Sequence, residues 1–284
     1  MQGKPNPVPA AAMSTMMHER PAGLRIWVAL DESPRSTAAL TAAVVLAEEL
    51  DAELAGLFVE DVDLQHLFGL PFAREFSVLT GEGRPLSQGE VERAWRREAE
   101  TLQRLLAEAA GRLRLRWSFR VTRGRVSAEV NTLAQAFDLI VLGKRTGIGV
   151  MAVAQTTYRL TGIHPKGRVG PVLVLFEDRS TSTYSLDMGA KLARRNGAEL
   201  VLLISAGARD AFEAACAVAQ TALKERGTAG RCVWLTALDG SNLIQAARRE
   251  EAGCLVLADK ERFLKQAGFE RVLDEIECPI VLTR

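Results

Sequence analysis

The residues whose types and spacing could do chemistry lie in "DLIVLGKRTGIGVMAVAQTT", 138–157. Four apolar residues, Leu139 to Leu142, run into Gly143, then Lys144 and Arg145, Gly147 and Gly149, and a Thr156-Thr157 pair. A glycine turn between a buried strand and the next helix can point backbone N–H groups at a phosphate, and the helix N-terminus favours negative charge there. Lys144 and Arg145 add charge of the matching sign. The chemistry on offer is phosphate binding; the question is whether the loop holds a nucleotide or keeps only the outline of such a site.

No second chemistry competes with it. The chain has no G-x-S-x-G, no Walker loop and no H-E-x-x-H, and His18, His66 and His164 have no readable carboxylate partner. Cys216, Cys232, Cys254 and Cys278 form no C-x-x-C, so small, buried, reduced thiols are expected instead of a metal site. A catalytic role is not expected.

The elements that must position the loop come from a duplication. Residues 28–60 overlay residues 174–206 without a gap, and 124–144 overlay 240–260 in the same order. Three parts follow: a flexible tail over 1–24, a first domain over 25–169 with an insertion at 61–90, and a shorter second domain over 170–284. In the first copy, periodicity predicts strands at 24–30, 54–59, 115–121 and 139–142, and helices at 33–50, 90–113 and 126–137. The second copy repeats the alternation from 183 to 283, with helices at 183–195, 210–226, 241–252 and 262–276. Short, wholly apolar strands between helices imply a parallel sheet covered on both faces, hence two tandem open α/β sandwiches of Rossmann-like type. Ligands of such sheets sit at the carboxyl ends of the strands, which brings Asp31, Val59 and Gly143 to one edge.

Other segments have plainer readings. The insertion 61–90 either folds over the site as a lid or packs as an apolar flap through Leu67, Phe68, Leu70 and Phe72; the flap is preferred. "GRLRLRWSFRV" (111–121) alternates, with Arg112, Arg114, Arg116 and Arg120 on one side and Leu113, Leu115, Trp117 and Phe119 on the other. It could be an anion or RNA surface, but a charge-defended edge strand is preferred. With 284 residues and a net charge of +1, nothing global argues for nucleic acid or membrane. No apolar run approaches the ~18 residues of a membrane span. A cytoplasmic protein is expected.

The chain resembles a tandem universal stress protein over nearly everything after residue 24. "VALDES" ends the first strand in Asp31 followed by Ser33, the fourth strand reads "DLIVLG", and "GPVLVLF" and "ECPIVLTR" are similar to the family's final strand. The resemblance implies an adenine-nucleotide-hydrolase-like fold. In the family's ATP-binding class the first-strand aspartate and a valine of the second strand hold the adenosine, which maps onto Asp31 and Val59. The phosphates rest on G-x2-G-x9-G-[ST], which from Gly143 demands glycine at 146 and 156, where this chain has Thr146 and Thr156; Thr157 fits the last position. A β-branched residue is poorly suited to a point that needs positive φ or close backbone approach. Gly147 and Gly149 could supply the turn one residue late. In the second copy the loop reads "LADKERFLKQ", and Asp259 at its mouth repels phosphate.

What the resemblance implies is therefore a non-catalytic stress-response or regulatory module acting through protein association, with a degenerate nucleotide site in the first domain. The alternative is an ATP-binding protein with slow hydrolysis, using Asp31, Val59, Gly143 and Thr157. No cofactor is certain, and ATP in the first domain is the candidate. "GPVLVLFED" (170–178) is assigned to the second copy, which leaves the first without a fifth strand. Since that strand usually carries dimer pairing in the family, Cys278–Arg284 becomes the expected edge for a homodimer or other protein partner. A dinucleotide-dependent oxidoreductase is excluded because neither first strand is followed by G-x-G-x-x-G.

Overall fold

The computed structural model describes residues 24–31, 33–62, 74–76, 83–85, 88–124, 128–129, 132, 139–143, 170–258, 263 and 269–283. Lys144, Gly147, Thr156, Thr157, the N-terminal tail and most of the expected helix 126–137 lie outside the described residues.

The first repeat opens with β1 (Arg25–Leu30), a run in which all but Arg25 is buried. Helix α1 (Pro34–Leu50) follows at once, because Ser33 is extended and its side chain accepts from the Ser36 N–H, with Pro34 in the first turn. The helix stops at Asp51, whose left-handed backbone returns its N–H to the carbonyls of Ala47 and Glu48. Next come β2 (Glu53–Asp61), the short pair β3 (Arg74–Phe76) and β4 (Gly83–Pro85), and helix α2 (Gln88–Arg112). Strands β5 (Trp117–Gly124) and β6 (Leu139–Leu142) complete this half. The second repeat runs β7 (Val172–Phe176), α3 (Thr183–Asn196), β8 (Leu200–Ser205), α4 (Arg209–Glu225) and β9 (Arg231–Leu235). It ends with α5 (Gly240–Arg249), β10 (Cys254–Leu257), α6 (Phe269–Glu275) and β11 (Ile280–Thr283).

The strands of the two halves join edge to edge into one sheet. Nine strands run in the order β5-β2-β1-β6-β11-β10-β7-β8-β9. Within this sheet the strands of each half are parallel to one another and the two blocks meet at one antiparallel pair, while β3 and β4 form a separate antiparallel pair. There β6 and β11 are matched Leu142 to Ile280, Val141 to Val281, Ile140 to Leu282 and Leu139 to Thr283. Strand β7 lies between β8 and β10, inside the second repeat's block.

This corrects the expectation for Cys278–Arg284. That segment was expected to offer a free edge to another chain. Instead β11 has β10 on one side and β6 on the other, so both rows of its backbone groups are consumed within the molecule. The reason is physical: the first repeat has no fifth strand among the described residues, and an unpaired edge beside the buried β6 would leave main-chain N–H and C=O groups unsatisfied.

The core has two layers, one on each face. On one face α1, α2, α3 and α4 cover Ile26, Val28, Leu54, Phe58, Val141, Val174, Leu202 and Val281. On the other, α5, α6 and Phe263 cover Trp27, Ala29, Leu57, Ile140, Leu173, Leu255 and Leu282. Both layers draw residues from both repeats. Helices α1 and α3 also meet across the junction, where Arg195 pairs with Glu48 at 2.7 Å and the Lys191 Nζ donates to the Glu49 carbonyl at 3.4 Å.

Candidate functional site

The carboxyl end of β1 shows how the expected site is built. Leu30 is level with Phe58 of β2 and Ala29 with Leu142 of β6, which sets Asp31, Val59 and Gly143 side by side. Sequence spacing predicts this grouping, and the three do come together at one end of the sheet. The strand is longer than expected, however. β2 continues to Asp61, so Val59 stands inside it, 1% exposed and level with Thr122, its side chain part of the apolar layer with Ala29 and Leu57.

Asp31 is tied into its own turn. Its Oδ1 accepts from the Ser33 N–H at 2.9 Å and from the Ser36 hydroxyl at 2.6 Å, while the Ser36 Oγ accepts from the Asp31 N–H at 2.7 Å. Ser33 caps α1 through the Ser36 N–H at 3.3 Å, and its hydroxyl reaches the Gly143 carbonyl at 3.5 Å. The result is a closed ring of hydrogen bonds that holds strand end, helix start and loop start together. The Oδ2 of Asp31 has no hydrogen-bond partner among the described residues.

Gly143 is explained by space. A Cβ there would lie 2.7 Å from the Ala39 Cβ, 2.7 Å from the Ser36 Cα and 3.1 Å from the Arg35 carbonyl oxygen. The strand end is pressed against the first turns of α1, and its N–H donates back to the Ala29 carbonyl at 3.2 Å. Glycine at the mouth of the loop is thus required by helix packing whether or not a phosphate follows.

The second repeat rebuilds the same turn with different letters. The Glu177 N–H donates to the Ser182 Oγ at 3.1 Å, as Asp31 does to Ser36, but the carboxylate work shifts to Asp178. The Asp178 Oδ1 accepts from the Ser180 N–H at 2.8 Å, the Ser180 hydroxyl at 2.6 Å and the Thr181 N–H at 2.9 Å; its Oδ2 accepts from the Thr181 hydroxyl at 2.8 Å. These bonds, the Ser180 hydroxyl foremost, pull the Asp178 carboxyl down to about 2. Ser182 precedes α3 without capping it through its side chain, since its backbone lacks the extended conformation that Ser33 has before α1.

Two groups at the first mouth are missed by sequence reasoning. Arg35, in the first turn of α1, is only 8% exposed, and its charge acts on Cys278, just ahead of β11. Burial pushes the Cys278 thiol up to about 12, with the Arg35 guanidinium working the other way. The β6–β11 pairing brings Cys278 of the second half near the first turn of α1, a neighbourhood with no signal in either segment alone. Cys254 and Cys278 are buried, Cys216 and Cys232 half-buried, and all four are free thiols. Among the described residues no three His, Cys, Asp or Glu side chains cluster as metal ligands, and no helix is long and apolar enough to cross a membrane.

An open, mostly parallel sheet with helices on both faces defines an α/β fold of the Rossmann-like class. Among solved structures it is that of the universal stress proteins. A universal stress protein from Archaeoglobus fulgidus DSM 4304 overlays with a TM-score of 0.52 at 10% identity, covering 92% of this chain and 96% of that one. A putative universal stress protein from Pseudomonas aeruginosa UCBPP-PA14 gives 0.50 at 13% identity, covering 92% and 93%. A universal stress protein from Archaeoglobus fulgidus in complex with dAMP gives 0.33 at 15% identity, covering 40% and 98%. No family model and no curated protein sequence matches the chain. The first two likenesses establish the fold.

Proposed function

We propose that the chain is a non-catalytic protein of the universal-stress type that works through protein association, and that the nucleotide site of its first repeat is degenerate. The observation that carries this reading is the use of Asp31. Its carboxylate serves as an acceptor inside its own turn, and the second repeat performs the same service with Asp178. An acid that recurs as a turn-former needs no ligand to explain it. The substitution of glycine by Thr146 and Thr156 in the loop supports the same conclusion.

A second reading, ATP binding with slow hydrolysis in the first repeat, is favoured by one observation: Asp31, Val59 and Gly143 do meet, and the Asp31 Oδ2 is open among the described residues. Calorimetric titration of magnesium ATP into the full chain separates the two. The control is Asp31→Asn, which retains an oxygen acceptor for Ser33 and Ser36 but removes the charge. No heat in either protein is the expected result. Micromolar binding that Asp31→Asn abolishes would replace this proposal with the second reading.

A further inference from the structure

The two outer edges of the sheet are the third strands of the two repeats, β5 and β9, and they are finished differently. At β9, Arg231 is ion-paired with Glu199 at 2.8 Å and with Glu250, and Trp234 stacks on Phe212 with ring centroids 5.5 Å apart while its Nε1 donates to the Ala206 carbonyl at 2.7 Å. At β5, Arg123 pairs with Glu60 at 2.8 Å, but exposed Arg120, and Arg112, Arg114 and Arg116 from the end of α2 to the strand, have no acidic partner among the described residues. Leu113, Trp117 and Val121 are 36%, 39% and 46% exposed beside them. Three of the five large apolar side chains left exposed among the described residues thus lie beside the unneutralised arginines; the other two are Val218 of α4 and Trp234 of β9.

Register sorts these groups by face. Trp117 and Val121 stand level with Leu54 and Phe58, on the face covered by α1 and α2. Arg120 stands level with Leu57, on the opposite face, and Arg116 shares its parity. The Arg116 carbonyl accepts from the Leu54 N–H at 2.9 Å, so the even residues bond inward to β2. By the alternation of a parallel ladder, the N–H and C=O groups of Trp117, Phe119, Val121 and Arg123 point outward, and among the described residues no strand pairs with them.

We propose that the β5 edge is a docking site for an extended peptide of another protein whose side chains alternate acidic and apolar. Such a strand, laid about 4.8 Å from β5, would take the outward main-chain groups and continue the sheet. Its carboxylates would fall on the face of Arg116 and Arg120, and its apolar residues on the face of Trp117 and Val121. A second copy of β5 suits less well, since two-fold antiparallel self-pairing gathers Arg116 and Arg120 of both copies on one face of the joined sheet with no acidic group between them. The chain's own tail does not suit either, because residues 1–23 carry a single acid, Glu19, against Lys4 and Arg20. A nucleic acid fits less well than a peptide: it offers no partner to an alternating row of N–H and C=O groups, and its uniform charge would also meet the exposed Glu92, Glu100 and Glu108 of α2.

This gives a chemistry to the association proposed above and rests on that reading. Its test uses a different part of the molecule from the ATP titration, so either can fail alone. A fluorescein-labelled peptide of about ten residues, alternating Glu and Val, is titrated with the full chain and read by anisotropy. Saturable binding is expected. It should weaken by roughly tenfold or more when the peptide's central amides are N-methylated, and likewise in the Arg116→Glu/Arg120→Glu protein, whose changes are on exposed side chains. A Lys-Val peptide should not bind. The proposal falls if the Glu-Val peptide shows no saturable binding, or if the N-methylated peptide binds equally well. Oligothymidylate binding as tightly, with the same loss in the double variant, would overturn it in favour of a nucleic-acid surface.

Discussion

Ser36 and Ser182 show how a single hydroxyl can serve two turns of different sequence. Each accepts from the N–H five residues earlier, at 2.7 Å and 3.1 Å, and each is nearly or wholly buried. What varies is where the carboxylate sits, at Asp31 in one repeat and at Asp178 in the other. The second arrangement has a consequence in pH. Because hydrogen bonds from Ser180 and Thr181 favour the charged form, the folded-state Asp178 carboxyl lies at about 2, below its unfolded value. Its contribution to the turn is therefore fully present above roughly pH 4, the ordinary range for the free side chain, and is lost as the pH falls through about 2. Following the Ser180 and Thr181 amide shifts by NMR should give a midpoint near 2 in the native protein and none in Asp178→Asn. A midpoint in the ordinary carboxylate range would show that these bonds do not hold in solution.

Among the elements, the strands and helices that position the site were legible to the extent that each carries its own signal. Ser33-Pro34 announces α1, and the apolar runs at 139–142 and 254–257 announce strands buried on both faces. The arginine alternation marks β5 as an edge, although the strand begins at Trp117 and extends to Gly124. The partner of β11 was not legible, because a strand of Ile, Val and Leu buried on both faces has no side that distinguishes one neighbour from another. Nor was the reason for Gly143, which depends on how closely α1 approaches. That approach is open to test. In Gly143→Ala the new methyl would meet the Ser36 Cα and Ala39 Cβ at 2.7 Å, and neither can swing away, so a loss of about 1–3 kcal/mol is expected from urea unfolding. Gly111, in the last turn of α2, has nothing within 4 Å of its would-be Cβ, so Gly111→Ala should instead stabilise by roughly 0.4–1 kcal/mol. Equal midpoints for the two variants would mean that the helix does not press on the strand end.

At the scale of the whole molecule, the β6–β11 pair joins the two halves of the chain into one sheet. Strand β11 is level with β10 on one side and β6 on the other, and Val281 stands between Val256 and Val141 in a layer that runs through both repeats. Removing side-chain volume there should weaken both halves together. Val281 is fully buried, and Val281→Ala should cost about 2–3 kcal/mol from lost burial and the cavity left behind. The distribution of tryptophan makes the coupling measurable. Trp27, Trp95 and Trp117 lie in the first repeat and Trp234 alone in the second, so fluorescence reports mainly on the half that does not contain position 281, while far-UV circular dichroism reports on both. If the shared sheet unfolds as a unit, the two signals should coincide in the native protein and shift by the same amount in the variant. A fluorescence transition left in place while the circular dichroism splits would mean that the halves fold independently. In that case the antiparallel pair would be a contact between two domains, and the arrest of β11 as an edge for other chains would be reversible.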